Sequence, residues 1–239
     1  MSNESAPPFD RLVKALTSTI SLKIVMAVTG LLGAGFVLFH MVGNLQVFIG
    51  PEALNNYAEF MQGLGGIKWV VRLGLLTILT LHVASAVALV QRNAAARPEG
   101  YAETKRKRTS LAAMYMAELG IVLLLFIVYH LGHFTIGWFH ADLGYEAMET
   151  VDGVARHDLY EHVIHSFRQP AIAITYIVAN LALAAHLAHG VTSMFKTVGF
   201  AAGRWRVPFE VLGPAFGVII GLGNISMPLA VLTGLIGGN

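Results

Sequence analysis

Residues 22–48 read LKIVMAVTGLLGAGFVLFHMVGNLQVF, a run with a single charged side chain, Lys23, near its start and one histidine, His40, deep inside it. As a helix this stretch rises about 40 Å at about 1.5 Å per residue, more than the roughly 30 Å of hydrocarbon in a bilayer. Its reading is therefore a membrane-spanning helix. An ionisable or ligating side chain inside such a helix is costly, so His40 asks for a reason.

Four further stretches have the same character: 69–91, 112–138, 170–195 and 208–236. The expected architecture is an all-α membrane protein with five transmembrane helices, one membrane domain spanning residues 1–239. Composition agrees, since the 239 residues are 55% hydrophobic and only 13% charged, with a mean hydropathy of +0.63. A water-soluble domain of that length needs more charge to cover its surface. The net charge of +2 implies no strongly basic or acidic partner, and no nucleic acid. There are no cysteines, which excludes disulfides, covalent haem attachment and thiolate-held iron–sulfur clusters. The start of the chain carries Glu4 and Asp10 and no basic residue before Arg11, unlike a cleaved signal peptide, so the first apolar helix is expected to be retained.

The connections set the orientation. Arg11, Lys14 and Lys23, then Arg92, Arg97, Lys105, Arg106, Lys107 and Arg108, then Lys196, Arg204 and Arg206 fall on one side of the membrane. Only Lys68, Arg72, Arg156 and Arg168 fall on the other, where the long 139–169 connection is acidic. Basic residues concentrate on the cytoplasmic face, which places the N-terminus in the cytoplasm and the C-terminus outside. In the fifth helix Gly213, Gly217 and Gly221 recur at four-residue spacing, a pattern that lets two helices approach closely.

Four of the five helices carry a histidine well inside the apolar span: His40, His82, His130 and His186. Counting about 1.5 Å per residue from each helix midpoint, His40 and His130 lie roughly 7 Å toward the outer surface. On the same count, His82 and His186 lie a few ångströms toward the cytoplasm. The four sort into an outer and an inner pair at matched depths. A lone buried histidine more often bonds a neighbouring helix, but two level pairs, one residue per helix, suit axial ligation of two haem irons. His133 and His189 follow His130 and His186 by three residues, on a similar face and nearer the headgroups. They are alternative ligands, or else haem-propionate or interface groups. His140, His157, His162 and His165 are expected on the solvated surface of the 139–169 connection.

The stretches GFVLFHMVGNLQVF (35–48), LTLHVASAV (79–87), LLLFIVYHLGHFT (123–135) and AAHLAHGVTSMF (184–195) resemble the cytochrome b subunit, the membrane anchor, of succinate:quinone oxidoreductases and fumarate reductases. The likeness is to the five-helix, two-haem type found with menaquinone, and it covers residues 20 to 236. Its more specific marks are the H-x-x-x-G of His186 and Gly190 and the 42-residue step from His40 to His82.

The resemblance implies two haem b groups, the outer held by His40 and His130 and the inner by His82 and His186. It implies a flavoprotein subunit and an iron–sulfur subunit docked on the cytoplasmic face, above membrane lipid of a bacterial cytoplasmic membrane, and it is compatible with a higher oligomer of the complex. The basic 92–108 loop lies on that docking face, although the charge asymmetry of membrane proteins is the better account of it. Menaquinone or another quinone would react near the outer haem, with Glu59 and Gln62 as candidate quinone-site or proton residues. Arg168 and Lys196, at the outer and inner ends of the fourth helix, are candidate propionate partners. Related fumarate reductases carry a glutamate two residues before the fourth-helix ligand; Ala184 stands there in this chain. The competing expectations are an anchor of another respiratory dehydrogenase, a quinol:fumarate reductase subunit, a haem-free anchor, and a transporter using its histidines as a relay.

Overall fold

The structure is a computed structural model that describes residues 7–96 and 111–238. Helix α1 (Pro8–Leu16) is short. Ser18 then adopts extended backbone and accepts the Ser21 N–H at 3.2 Å, an N-cap that starts α2 (Thr19–Asn44), which tightens into a 3-10 turn to Phe48. Pro51 opens α3 (Pro51–Gly63), where a missing N–H is harmless. α4 (Gly66–Ala95) returns through the membrane. After the undescribed residues come α5 (Leu111–Met114) and α6 (Met116–Leu131), broken from each other at Tyr115, and α6 runs into a π-helical turn, Gly132–Ile136. Strands β1 (Met148–Val151) and β2 (Val154–His157) then form an antiparallel hairpin. Asp152 (φ 52°) and Gly153 (φ 79°) turn it, both in the left-handed region that a type I′ turn demands. α7 (Leu159–Arg168), α8 (Pro170–Thr197) and α9 (Arg206–Leu232) complete the chain.

Among the described residues five stretches are long and apolar enough to cross a membrane: Thr19–Phe48, Gly66–Ala95, Met116–Ile136, Pro170–Thr197 and Gly203–Leu232. The protein is a multi-pass, all-α membrane protein. Large apolar side chains such as Phe39, Val70 and Leu222 point outward, as they do when lipid is the solvent. The third span starts later than expected because the helix breaks at Tyr115, and the fifth ends at Leu232 because the chain turns at Gly234 (φ 75°).

The end of the bundle bearing α3, the hairpin and α7 is termed the outer end, following the charge asymmetry. Both connections there hold more structure than the sequence suggests. α7 is capped by Asp158, whose carboxylate accepts the Glu161 N–H at 2.9 Å. It packs on α3, α8 and α9, and the main apolar core gathers there: Val47, Leu54, Ile164, Phe167, Ile172, Ala173, Tyr176, Met227 and Val231. A buried Asn55 on α3 ties the layer together. Its Nδ2 donates to Glu149 and Asp158, both at 2.9 Å, and its Oδ1 accepts the Tyr160 N–H at 2.9 Å.

Within the bundle α2 packs against α4 and α8, and α6 against α8, but the tightest pair is α8 and α9. A side chain at Gly213 would strike Thr192 and the Ala188 carbonyl, and one at Gly217 would strike the Ala184 carbonyl. The glycine stripe thus serves helix approach, as its spacing suggests. Ala184 faces α9 at Gly217 and Gly221, so a longer side chain at 184 would have to push the two helices apart.

Candidate functional site

The histidines inside the spans are brought together in twos. His40 on α2 faces His130 on α6, with ring centroids 5.7 Å apart and planes at 85°. His82 on α4 faces His186 on α8 at 6.4 Å and 64°. Neither α2 with α6 nor α4 with α8 is among the closely packed helix pairs, so in each case the imidazoles reach across between backbones held apart.

Hydrogen bonds fix which nitrogen of His82 is free. Thr29 Oγ1 lies 2.7 Å from the Val25 carbonyl and gives its one hydrogen there. Toward His82 Nδ1, 3.1 Å away, it can then only accept. His82 Nδ1 therefore carries the ring proton, and Nε2 keeps a lone pair for an electrophile. His186 Nδ1 is buried without any partner. In the outer pair, Phe36 stacks on His40 at 5.3 Å, and Phe126 and Phe134 flank His130 at 5.9 and 5.7 Å. Tyr176 OH stands 3.4 Å from His130 Nδ1.

Facing imidazoles can hold one metal ion between them. Bonds of about 2 Å on each side put the ring centres roughly 6 Å apart, which both pairs match. Each pair offers two ligands only. Among the described residues no group of three or more His, Cys, Asp or Glu is placed to hold a metal.

Compared with known proteins, the chain matches no family model, no curated protein and no solved structure.

The other expected residues have settled partners. His133 is fully buried, but its nitrogens turn to Tyr176 OH (Nδ1, 3.0 Å) and Ser166 Oγ (Nε2, 2.9 Å) rather than across to α2. His189 lies close to His186 and Lys196. Glu59 is paired with Arg156 Nη1 at 2.9 Å, and Gln62 Oε1 accepts from Lys68 Nζ at 3.1 Å. Arg156 also reaches Glu149 at 2.6 Å, and these two carboxylates hold its guanidinium above its ordinary pKa. Arg168 donates to the Gly237 carbonyl, and Lys196 is paired with Glu210 at 3.1 Å. Arg97 and Lys105 to Arg108 lie outside the described residues.

One expectation is corrected. His162 is not on the solvated surface but completely buried, because α7 packs on α3, α8 and α9 and turns this ring in among Phe134, His133 and Tyr145. Burial, and after it the neighbouring His157 and His165, depress its pKa to about 4. Thr29, Ser166 and Tyr176, which orient the histidines, carry no local signature beyond being polar groups in or beside apolar helices.

Proposed function

We propose that this chain is the dihaem cytochrome b anchor of a bacterial succinate:quinone oxidoreductase, seated in the cytoplasmic membrane and delivering electrons to menaquinone or another quinone. The observation that carries the reading is the meeting of four intramembrane histidines, one per helix, as two facing pairs at a spacing suited to one metal each. Two imidazoles facing each other leave the remaining positions around a metal for a planar group such as the porphyrin of haem. The unpartnered His186 Nδ1 is consistent with a site in which the protein does not supply every bond.

His40 and His130 would hold the outer haem and His82 and His186 the inner one. A b-type haem between two imidazoles supplies reversible one-electron transfer at its iron. The chain's own part is positional. Thr29 holds the His82 ring in one tautomer, Phe36 and Phe126 fix the outer rings by stacking, and the α8–α9 seam fixes the height of His186. With no cysteine to hold an iron–sulfur cluster, the chain fits an anchor that receives its electrons from elsewhere, here an iron–sulfur protein and a flavoprotein on the cytoplasmic face.

The test is a dithionite-reduced minus oxidised spectrum of the purified full-length protein, with haem quantified per chain. Two haem b per chain are expected. One would break one of the pairs, and none would leave a haem-free anchor or a transporter.

A further inference from the structure

At the outer end, between the π turn, α7 and the hairpin, lies a polar cluster that electron transfer does not use. Its centre is His162, fully buried, with neither ring nitrogen bonded to any protein atom. Its ring lies 5.5 Å from that of the buried His133 on one side and 6.0 Å from that of the exposed His157 on the other. Beyond His133 the cluster continues by direct hydrogen bonds to Ser166 and Tyr176.

A buried imidazole with both nitrogens idle is unfavourable unless water reaches it. Water bonded to His162 would meet Ser166, four residues on and on the same face of α7, rather than His133, whose two nitrogens already face Tyr176 and Ser166. His157 donates its Nε2–H to the Tyr145 carbonyl at 2.6 Å, which leaves its Nδ1 free at the surface. The groups facing His162 are His133 from the π turn, His157 from the hairpin and Tyr145 from the loop between them, with Glu161 and His165 on its own helix. His140 lies behind His133, 5.2 Å from its ring. A histidine carries two nitrogens on opposite edges, so it can take a proton at one and release another from the second.

We propose that His162 is a proton-relay residue that passes protons between the outer aqueous face at His157 and the buried His133–Ser166 pair, serving the protons of quinone turnover. The inference rests on the quinone chemistry proposed above. Reduction of one quinone to quinol takes up two electrons and two protons, and oxidation returns both. Each proton binds one ring nitrogen of His162 as another leaves the opposite nitrogen through the bridging water. The ring ends neutral, with its tautomer exchanged, and exchange with water restores it. The same hop in reverse serves quinol oxidation.

The test uses the full-length, haem-loaded protein in neutral-lipid nanodiscs, mixed in a stopped flow with a reduced, water-soluble naphthoquinol. Haem absorbance follows electron arrival and a pH dye follows proton release. His162→Gln is expected to slow both together by roughly tenfold or more while leaving haem content and spectrum unchanged. His157→Ala is expected to slow them a few-fold, with recovery on adding imidazole buffer. A wild-type rate in His162→Gln overturns the relay and leaves the quinone reading standing. No haem reduction in the wild-type protein overturns the quinone reading and the relay with it. A second readout needs no variant and no turnover: nitrogen-15 NMR of the histidine-labelled protein should show the His162 ring nitrogens exchanging with water, and a dry, non-exchanging ring would sink the proposal.

Discussion

The outer and inner halves of the bundle hold the same motif in opposite surroundings. The inner pair, His82 and His186, meets one hydroxyl, Thr29, with the imidazole of His189 close to His186; Gly30 lies against His82 and Gly120 near His186. The outer pair, His40 and His130, is continuous through Tyr176 with His133, Ser166 and the hairpin-covered cap. Two imidazole pairs of similar geometry thus differ in their hydrogen bonds: the inner pair meets one hydroxyl, and the outer pair opens onto a longer string of polar groups. Electrons need only proximity, whereas protons need an unbroken run of donors and acceptors, so the asymmetry assigns proton work to the outer half.

Substituting the histidines should break the comparison most severely. His82→Leu is expected to remove the inner haem and His40→Leu the outer one, each halving the haem per chain with a distinct change in the reduced spectrum. Retention of both haems in either variant would show that the pairs are not the ligands. The next largest effect concerns the cap alone. Asn55→Ala deletes three partly buried hydrogen bonds that clamp the hairpin and α7 onto α3, at a cost on the order of 2–3 kcal/mol. Hydrogen exchange should accelerate in residues 148–168 while α4 and the inner half of α8 stay protected.

A smaller, one-sided effect is expected from the orienting hydroxyls. Thr29→Val removes the acceptor for His82 Nδ1–H and should weaken inner haem binding by about 10–100-fold with the outer haem unaffected. Titrating haem into the apoprotein and following the two sites by their spectra would show it, and equal weakening of both sites would contradict the assignment.

The smallest effect is in pH. His162 is neutral when folded, with a pKa of about 4 against 6.5 in the unfolded chain. Folding is therefore fully favoured above pH 6.5 and loses stability as pH falls from 6.5 toward 4, because the unfolded chain takes up the proton first. Exchange in α7 and the hairpin should rise over that interval, and His162→Gln should flatten the dependence.

The spans were readable because lipid imposes a length and a composition that local sequence must meet. Pro170, for instance, marks the first residue of α8 both in the sequence and in the structure. The histidine depths were readable for the same reason, since a helix converts residue number into height, and the facing of His40 with His130 and of His82 with His186 follows that ranking. The outer cap was not anticipated. Asp152-Gly153 between valines is a hairpin signal present in the sequence but overshadowed by the acidity around it. The burial of His162 has no local signal, because it depends on where α7 lands against the π turn and α8. Thr29 was hidden likewise, since its partner stands on another helix fifty-three positions away.

Tyr176 places one hydroxyl between two imidazoles, 3.4 Å from His130 Nδ1 and 3.0 Å from His133 Nδ1. A hydroxyl has one hydrogen to give, so when it donates to one ring it must accept from the other. A metal on His130 Nε2 would leave the ring proton on Nδ1, so the string from His130 to Ser166 would run one way, each group donating to the next. Whatever biases the hydrogen at Ser166 biases the basicity of His130, and by reciprocity whatever changes the demand on His130 is read out at Ser166.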